Sequence, residues 1–396
     1  MSSIRHALVS TMSIQMLATA STVTLSTIAP MVALSLGVES SLIGIYVCCI
    51  FSGAAISAVI GGTMVTRYGG IHVSQVCLIL ATIGLILTCL GNLWLMALGA
   101  LFIGVSYGPI TPASSDILAH TVPREKMGFV FSLKQTAVPL GSALAGFVIP
   151  GIALWAHDWR AGPLFTALTC LLVMLLVMYH RSDLDNHTDP EARFSMQSII
   201  NSLRLVITHP ELRRLLVVGF TYNGAQMCIF SYIVAYLVED VTLPIVFAGF
   251  ALSTASAGGM IGRIFWGVFA DWVRSPRLTL SFLGFLMASL AVTTSFFNDQ
   301  WPSWLILVTV FGLGASAIGW NGVHLAQIAR VAPAGKAGVA TGGTLFFGFG
   351  GAIFLPVLFG KLHSWFGQYQ EGFWVIATTS SLVALWLLMS RTQTKP

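Results

Sequence analysis

The sequence GVFADWVR at residues 267–274 separates two long apolar runs, residues 244–268 and 278–297. Each run is close to the ~20 apolar residues that a helix needs to cross the hydrocarbon core of a bilayer. The connection between the runs is short, and it carries charges at Asp271 and Arg274. Two apolar runs joined by a short charged turn predict a pair of adjacent membrane-spanning helices.

The same pattern extends over the whole chain of 396 residues, of which 56% are hydrophobic and only 8% are charged. A typical soluble domain carries about 25% charged residues, and charge is largely excluded from hydrocarbon. Hydropathy predicts twelve spans, at residues 7–33, 41–65, 72–91, 94–117, 128–152, 162–180, 215–238, 244–268, 278–297, 304–328, 338–360 and 373–390. These spans use nearly the whole length, so we expect an all-α protein embedded in the lipid bilayer.

Basic residues are concentrated in alternate connections between the predicted spans. Because Lys and Arg resist translocation, this asymmetry places both termini in the cytoplasm and predicts a multi-pass protein of the inner (plasma) membrane. The net charge of +5 follows from the same bias. We therefore expect no binding to nucleic acid.

One connection, residues 181–211, is much longer than the others. An acidic stretch around Pro190 is followed by an apolar-periodic piece that begins at Met196, which predicts a cytoplasmic linker with a short surface helix. Six predicted spans lie on each side of this linker. The expected domains are an N-terminal six-helix bundle at 1–180, the linker at 181–211 and a C-terminal six-helix bundle at 212–396.

The two halves resemble each other in sequence. VPREKMG at residues 122–128 matches APAGKAG at residues 332–338, an offset of 210 (332 − 122), and Arg5 matches Arg213 at an offset of 208 (213 − 5). Small changes of offset are expected where loop lengths differ. A parallel repeat of six spans is typical of transporters whose substrate site lies between the halves near the membrane midplane.

The turn quoted first resembles the signature of the major facilitator superfamily, in which a Gly is followed four residues later by an Asp and then by basic residues. The second half carries Gly267, Asp271 and Arg274, whereas the first half has Thr66 in place of the Asp and keeps Arg67. With the span number and the repeat, the chain is identified as a member of this superfamily. The resemblance implies two pseudo-repeated six-helix bundles, and it gives these loop charges the role of steadying one conformer.

The eighth predicted span adds a second resemblance. GRIFWG at residues 262–267, followed by Asp271, is similar to a segment of oxalate/formate and monocarboxylate carriers, in which an Arg contacts the substrate carboxylate. Arg263 would be that Arg, ~12 Å along the helix from Asp271. The Arg that drug/proton antiporters carry in the fourth span is replaced here by Ala100. The resemblance therefore implies a small organic anion, a carboxylate, as the substrate.

Four ionisable side chains fall inside the predicted spans: Asp116, Lys134, Arg263 and His324. Charge within a span is costly, so such residues mark functional sites by default. Arg263 and Lys134 lie about two turns inside spans that the resemblance places on opposite sides of the cleft, which predicts a two-sided clamp for an anion. The alternatives are that Arg263 snorkels to the cytoplasm or pairs structurally, and that Lys134 forms a salt bridge with Asp116.

The other two ionisable residues also allow two interpretations. Asp116 lies about one turn from the end of its span, where the resemblance implies a structural partner, Arg67; the alternative is a proton carrier. His324 is the repeat mate of Ser114 and, together with Asn321, predicts a polar cavity wall. The alternative for His324 is a hydrogen-bonded histidine of the packed interior.

Gln15 in the first span, with Tyr222 and Asn223 in the seventh, supplies neutral hydrogen-bonding groups. Two roles are open for these residues: contact with the substrate, or hydrogen bonds between helices that contribute ~0.6–2 kcal/mol each. Catalytic motifs are absent from the sequence, and all six Cys lie in apolar segments, so we expect no enzyme, no metal site and no cofactor.

The sequence thus predicts a secondary transporter that moves a small organic anion by alternating access. We expect a monomer, and proton coupling is left open. The alternatives are an exporter of amphipathic or drug-like molecules and a membrane sensor or scaffold without transport.

Overall fold

The computed structural model describes residues 2–123, 130, 133–179, 181–185, 188–191, 195–333 and 336–390. Within these ranges all regular secondary structure is helical, which confirms the all-α prediction.

The first half of the chain folds into helices that follow the predicted spans. They are α1 Ser2–Val23, α2 Ala29–Leu36, α3 Ile43–Tyr68, α4 Gly70–Cys89, α5 Leu93–Tyr107, α6 Ile110–Thr121, α7 Ala137–Trp155, α8 Ala161–Met178 and the short α9 Arg181–Leu184. Single 3₁₀ turns at Ser26–Ile28 and Ser40–Leu42 precede α2 and α3.

The second half begins with the predicted linker helix and continues with the remaining spans. Its helices are α10 Met196–Thr208, α11 Pro210–Glu239, α12 Ile245–Val273, α13 Pro276–Ser295, α14 Ser303–Ala317, α15 Asn321–Val331, α16 Ala337–Phe366 and α17 Gln370–Met389.

Ten helical stretches of the described chain are long and apolar enough to cross a membrane, and the bent pair that contains α1 and α2 makes eleven. The remaining predicted span, the seventh at residues 215–238, is α11, which is long enough but more polar than the stretches counted above. Its polar content is tolerated because the helix is enclosed by protein: from Thr221 to Leu237, every residue except the half-buried Asn223 is buried. A polytopic all-α membrane fold is therefore confirmed.

Several of the predicted spans are interrupted within the residues that the structure describes. Ile4–Val23 and Ser26–Leu36 meet at 45°. The fourth span breaks at Gly108 and Pro109, between α5 and α6, and the tenth breaks at Ile318–Trp320, between α14 and α15. A break frees backbone polar groups that lipid cannot satisfy, so it is tolerated only where protein or a cavity surrounds it.

The repeat is visible in how the helices pack. A Cβ added at Gly104 of α5 would overlap the carbonyl oxygen of Ile50 in α3, and one at Gly314 of α14 would overlap that of Ala255 in α12. Gly104 and Gly314 are repeat mates (314 − 104 = 210). Both halves thus rely on a small residue for the same close approach of their second and fourth spans.

Contacts divide the chain into two compact units, which are described separately. Unit 1 comprises Met1–Met196, Phe230–Glu239 and Leu243–Ser253; unit 2 comprises Gln197–Ile229, Asp240–Thr242 and Thr254–Pro396. Unit 1 therefore includes the end of α11 and the beginning of α12. The bundle boundaries read from the sequence stay a prediction.

Candidate functional site

A buried polar cluster lies in unit 1, where α1, α6 and the segment before α7 meet. Lys134 is only 2% exposed, and its Nζ donates a hydrogen bond to Oε1 of Gln15 at 3.1 Å. Thr111 donates its hydroxyl to the same oxygen at 3.3 Å. We call Lys134, Gln15 and Thr111 the lysine cluster.

The ammonium group of Lys134 determines the orientation of the Gln15 side-chain amide. An ammonium only donates hydrogen bonds, so the amide oxygen of Gln15 must face Lys134 and the amide nitrogen must point elsewhere. Gln15 is fully buried, and its Nε2 has no hydrogen-bond partner among the described residues. A buried donor without a partner costs ~1–3 kcal/mol, which an acceptor from a ligand would offset.

Unit 2 contains a neutral polar cluster where α15 meets α11. Asn321 donates from Nδ2 to Oε1 of Gln226 at 3.2 Å. Nε2 of His324 lies 2.8 Å from the carbonyl oxygen of Leu215, and because a carbonyl only accepts, this nitrogen carries the proton. Nδ1 of His324 is buried and has no partner within the described part of the chain.

The ring of Trp320 packs against this histidine, and the ring of Tyr222 packs against Trp320. The Trp320 ring lies 4.9 Å from the His324 ring and 5.7 Å from the Tyr222 ring, centroid to centroid. Nε1 of Trp320 is also buried without a partner among the residues that the structure describes. Tyr222 is fully buried and donates its hydroxyl to the carbonyl oxygen of Leu280 at 2.8 Å, so its polar atom joins α11 to α13.

Two further predicted substrate contacts form bonds between helices. Asn223 donates from Nδ2 to the carbonyl oxygen of Gly348 at 2.8 Å, which joins α11 to α16. Arg263 is half-buried, and its Nε donates to the carbonyl oxygen of Ile318 at 3.3 Å, at the break of the tenth span. Lys134 and Arg263 belong to different units, and the anion clamp between them stays a prediction.

The charges of the second signature turn lie at the surface. Asp271 pairs with Nη2 of Arg330 at 2.9 Å, with the two side chains 70% and 53% exposed. Arg274 has a φ of 54°, in the left-handed region, where the chain leaves α12. Their predicted effect on the conformational equilibrium stays a prediction.

The ion pair expected between Asp116 and Arg67 stays a prediction, and the structure shows these contacts of the two residues. The carboxylate of Asp116 lies 3.6 Å from Nδ1 of His120, one turn further along α6. The guanidinium of Arg67 lies over the ring of Tyr68, 5.4 Å from its centroid. Asp116 and His120 are four residues apart and are therefore neighbours on one face of α6. Arg67 and Tyr68 are consecutive at the end of α3.

An acid that the sequence did not single out caps α4. Asp185, which follows α9, accepts hydrogen bonds from the backbone N–H groups of Ile71 and His72 at 2.8 and 2.9 Å. Gly69 has a φ of 92°, and a Cβ at this position would overlap the Asp185 carboxylate. The backbone N–H of Asp189 donates to the carbonyl oxygen of Thr66 at 2.8 Å, so the start of the linker is bound to this turn.

One polar residue of the lysine cluster, Thr111, is visible in the sequence through the repeat. Thr111 is the repeat mate of Asn321 (321 − 111 = 210), and both donate to a glutamine, Gln15 or Gln226. Polar residues separated by the repeat offset of 210 therefore make corresponding contacts in the two halves. Trp320 had no such signal, since its orphaned nitrogen is visible only in the packed structure.

Known proteins match this chain over most of its length. The model of the Major Facilitator Superfamily matches residues 11–349. The probable galactarate/D-glucarate transporter GudP of Escherichia coli K12 is 25% identical over 159 residues, and this match covers 38% of the chain but only 34% of GudP. The probable galactarate/D-glucarate transporter GarP of the same strain is 21% identical over 312 residues, covering 72% of this chain and 69% of GarP.

Two further matches cover more of the chain. The sialic acid transporter NanX of Escherichia coli K12 is 22% identical over 328 residues, which is 82% of this chain and 78% of NanX. Among solved structures, a point mutant of the nucleoside transporter NupG superposes with a TM-score of 0.78 at 13% identity, covering 96% of this chain and 99% of NupG. At that identity the likeness shows the fold alone.

Proposed function

This chain belongs to the Major Facilitator Superfamily, whose members here are transporters and not enzymes, and from that premise we propose that it is a secondary transporter of a hydroxylated organic acid. The observation that carries the proposal is the lysine cluster, in which a buried ammonium lies beside a glutamine whose Nε2 has no partner among the described residues. A substrate carboxylate would bind there.

The chemistry of the lysine cluster suits a carboxylate. Lys134 brings a positive charge, and Gln15 brings an amide N–H that points away from it. Hydrogen bonds to charged groups contribute ~1.5–3 kcal/mol each, about twice as much as neutral ones. A carboxylate has two oxygens and can therefore accept from both donors at once.

Two observations support a hydroxylated acid over a simple one. The polar groups of unit 2, such as the amide of Asn321 and the ring nitrogens of His324, suit hydrogen bonds with hydroxyl groups. GudP, GarP and NanX are named for galactarate, D-glucarate and sialic acid, which all combine a carboxylate with several hydroxyl groups. Their identities of 21–25% support this class of substrate without selecting one of its members.

The test compares a sugar diacid with its neutral analogue. We expect galactarate to raise the thermal unfolding temperature of the purified protein, since a ligand at a hundredfold excess over its Kd stabilises by about 2.7 kcal/mol. Lys134→Gln keeps a hydrogen-bond donor but removes the charge, and it should weaken galactarate at least about tenfold. The affinity for galactitol, which has no carboxylate, should be the same in Lys134→Gln and in the wild type.

Thr344→Val is the matched control. Thr344 is the repeat mate of Lys134 (344 − 134 = 210) and is fully buried. Among the described residues its hydroxyl bonds only within its own helix, to the carbonyl oxygen of Ala340. This variant should bind galactarate as the wild type does. Equal galactarate affinity in Lys134→Gln and the wild type, or a preference for organic cations, would overturn the proposal.

We also propose that the protein lies in the inner membrane with both termini and the linker in the cytoplasm. Single cysteines at Glu191 and Asn298, both exposed, test this orientation in a background without the six native cysteines. Glu191→Cys should react with a membrane-impermeant maleimide only from the cytoplasmic side, and Asn298→Cys only from outside. The opposite pattern would reverse the topology. Proton coupling stays a prediction.

A further inference from the structure

A cavity of about 340 Å³ lies in unit 1 beside the bend between α1 and α2. Its walls come from residues 25–38, from the start of α3 including Cys49, and from the start of α5 including Ala97. Apart from Glu39, Ser40, the Tyr46 hydroxyl and the Cys49 thiol, the side chains that line it are apolar. Neither the fold nor the lysine cluster uses this space.

The bend explains why the space is open. The helix axis turns by 45° before α2, so α2 diverges from the direction in which α1 packs. Protein interiors are close-packed and rarely contain voids larger than a water molecule. This cavity is more than twice the ~150 Å³ of an apolar cavity that stays dry and binds benzene. Water is therefore a poor occupant, and hydrocarbon is a good one.

Residues at the rim of the cavity face the membrane. Trp94 is 85% exposed and Ile45 is 52% exposed, and both line the cavity on membrane-spanning stretches. Trp side chains prefer the level of the lipid headgroups, where their rings are partly apolar and partly wet. Lipid chains thus lie beside an apolar space that protein atoms do not fill.

Negative charge marks one end of the cavity. Glu39 and Ser40 line it, and Ser40 donates its hydroxyl to the carboxylate of Glu239. Glu39 accepts a hydrogen bond from Ser41 at 2.9 Å. Both glutamates are exposed at this end. Two carboxylates close together favour a cationic group and repel an anionic one.

We propose that this cavity binds one acyl chain of a phospholipid with an ammonium headgroup, with that headgroup beside Glu39 and Glu239. The bend supplies the space, the apolar walls supply the affinity for the chain, and the glutamates select the head. The cavity is separate from the lysine cluster, so a lipid bound there does not depend on which substrate is transported.

The experiment uses the full chain in liposomes that contain phosphatidylethanolamine with a photoreactive diazirine in the middle of one acyl chain. After irradiation, mass spectrometry maps the adducts. We expect adducts at wall residues such as Cys49 and Ala97, in excess over Leu98 and Leu101, which are 43% and 37% exposed but do not line the cavity.

Filling the cavity tests occupancy. Ala97→Phe should lower labelling of the walls about tenfold, equivalent to about 1.4 kcal/mol. Leu98→Phe, the matched control on the neighbouring residue, should leave it unchanged. If Ala97→Phe is not monodisperse on size exclusion, Ala33→Phe fills the same space from α2. Adducts spread evenly over Leu98, Leu101 and the walls, and insensitive to either filling variant, would mean only surrounding lipid and would overturn the proposal.

The headgroup is tested with phosphatidylglycerol that carries the same photoreactive chain. We expect several-fold less wall labelling than with phosphatidylethanolamine, because the anionic head meets two carboxylates. Glu39→Gln should reduce that difference while keeping the labelling by phosphatidylethanolamine. Equal labelling by the two lipids in the wild type would overturn the assignment of an ammonium-headed lipid.

Discussion

The two halves of the chain fasten corresponding helices with groups of opposite charge. In the first half, the Asp185 carboxylate, which follows α8 and α9, accepts from the first backbone N–H groups of α4. In the second half, the Arg277 guanidinium at the start of α13 donates to the carbonyl oxygens of Leu387 and Leu388 at the end of α17. In the first half the bond joins the third span to the linker that follows the sixth span, and in the second half it joins the third span to the sixth directly.

Helix ends explain why both signs serve the same purpose. The N-terminus of a helix has unpaired N–H groups and a partial positive charge, whereas the C-terminus has unpaired carbonyls and a partial negative charge. A carboxylate satisfies the first and a guanidinium the second. Both halves therefore attach the start of the third span by a charged side chain, while the sign of the charge and the segment that it reaches have changed.

The same contrast applies to the signature acid. Asp271 and Arg330 form an ion pair in the second half, and the matching positions of the first half hold Thr66 and His120 (271 − 66 = 205; 330 − 120 = 210). There the turn is held instead by the linker, through the bond from Asp189 to Thr66. The loss of a family residue thus did not leave this turn without an attachment.

At the level of the candidate site the halves differ in charge. The first half buries Lys134, and the second half has Thr344 at the matching position (344 − 134 = 210). Only the first half therefore provides a buried ammonium at this place in the repeat. Under the proposed function, this contrast would place anion binding in the first half.

Placing a lysine in the second half at the position that matches Lys134 should have the largest effect on the free energy of unfolding. Thr344 is fully buried, so Thr344→Lys would bury a second ammonium, which we expect to lower the free energy of unfolding by at least about 3 kcal/mol. Thermal unfolding in detergent measures this, with Thr344→Val as the control. A Thr344→Lys variant as stable as the wild type would remove the contrast between the halves.

Removing Asp185, the linker acid that caps α4, should have the next largest effect on the free energy of unfolding. Asp185→Ala leaves the N–H groups of Ile71 and His72 without their acceptor, and we expect a loss of ~2–3 kcal/mol in the free energy of unfolding. Asp189→Ala, an exposed acid in the same linker, should change it by less than ~0.5 kcal/mol. Equal effects of the two variants would show that Asp185 acts only through net charge.

Removing the corresponding helix-end contact of the second half should lower the free energy of unfolding by a smaller amount. Arg277→Gln removes donors from carbonyls at the end of α17, part of which water can satisfy, so we expect a loss of ~1–2 kcal/mol. Arg274→Gln, in the same turn and exposed, is the control. If Arg277→Gln and Arg274→Gln have the same unfolding temperature, the tie between α13 and α17 contributes nothing measurable.

The signature ion pair should have the smallest effect on stability. Asp271 and Arg330 are both largely exposed, so Asp271→Asn should lower the free energy of unfolding by no more than ~1 kcal/mol, and less at high salt. Unfolding at low and high ionic strength measures both quantities. A larger, salt-independent loss would show that the pair is shielded from solvent in the folded protein.

The sequence by itself determined the class of the protein, its spans and its repeat. These follow from local physical chemistry, because lipid excludes charge and each span must be about twenty apolar residues long. The same rule identified Lys134 as a candidate, since a lysine inside an apolar run is conspicuous without any structure. The family resemblance rested on the turn at residues 267–274, where chain neighbours form the whole motif.

The tertiary structure alone decided which partners these residues have. Lys134 donates to Gln15, 119 residues away in sequence, and Arg263 to Ile318, 55 residues away. Asp185 caps a helix that begins 115 residues earlier, at Gly70 (185 − 70 = 115). Such contacts depend on how helices bend and pack, and no local pattern encodes that geometry. The bend before α2 and the cavity beside it arise for the same reason.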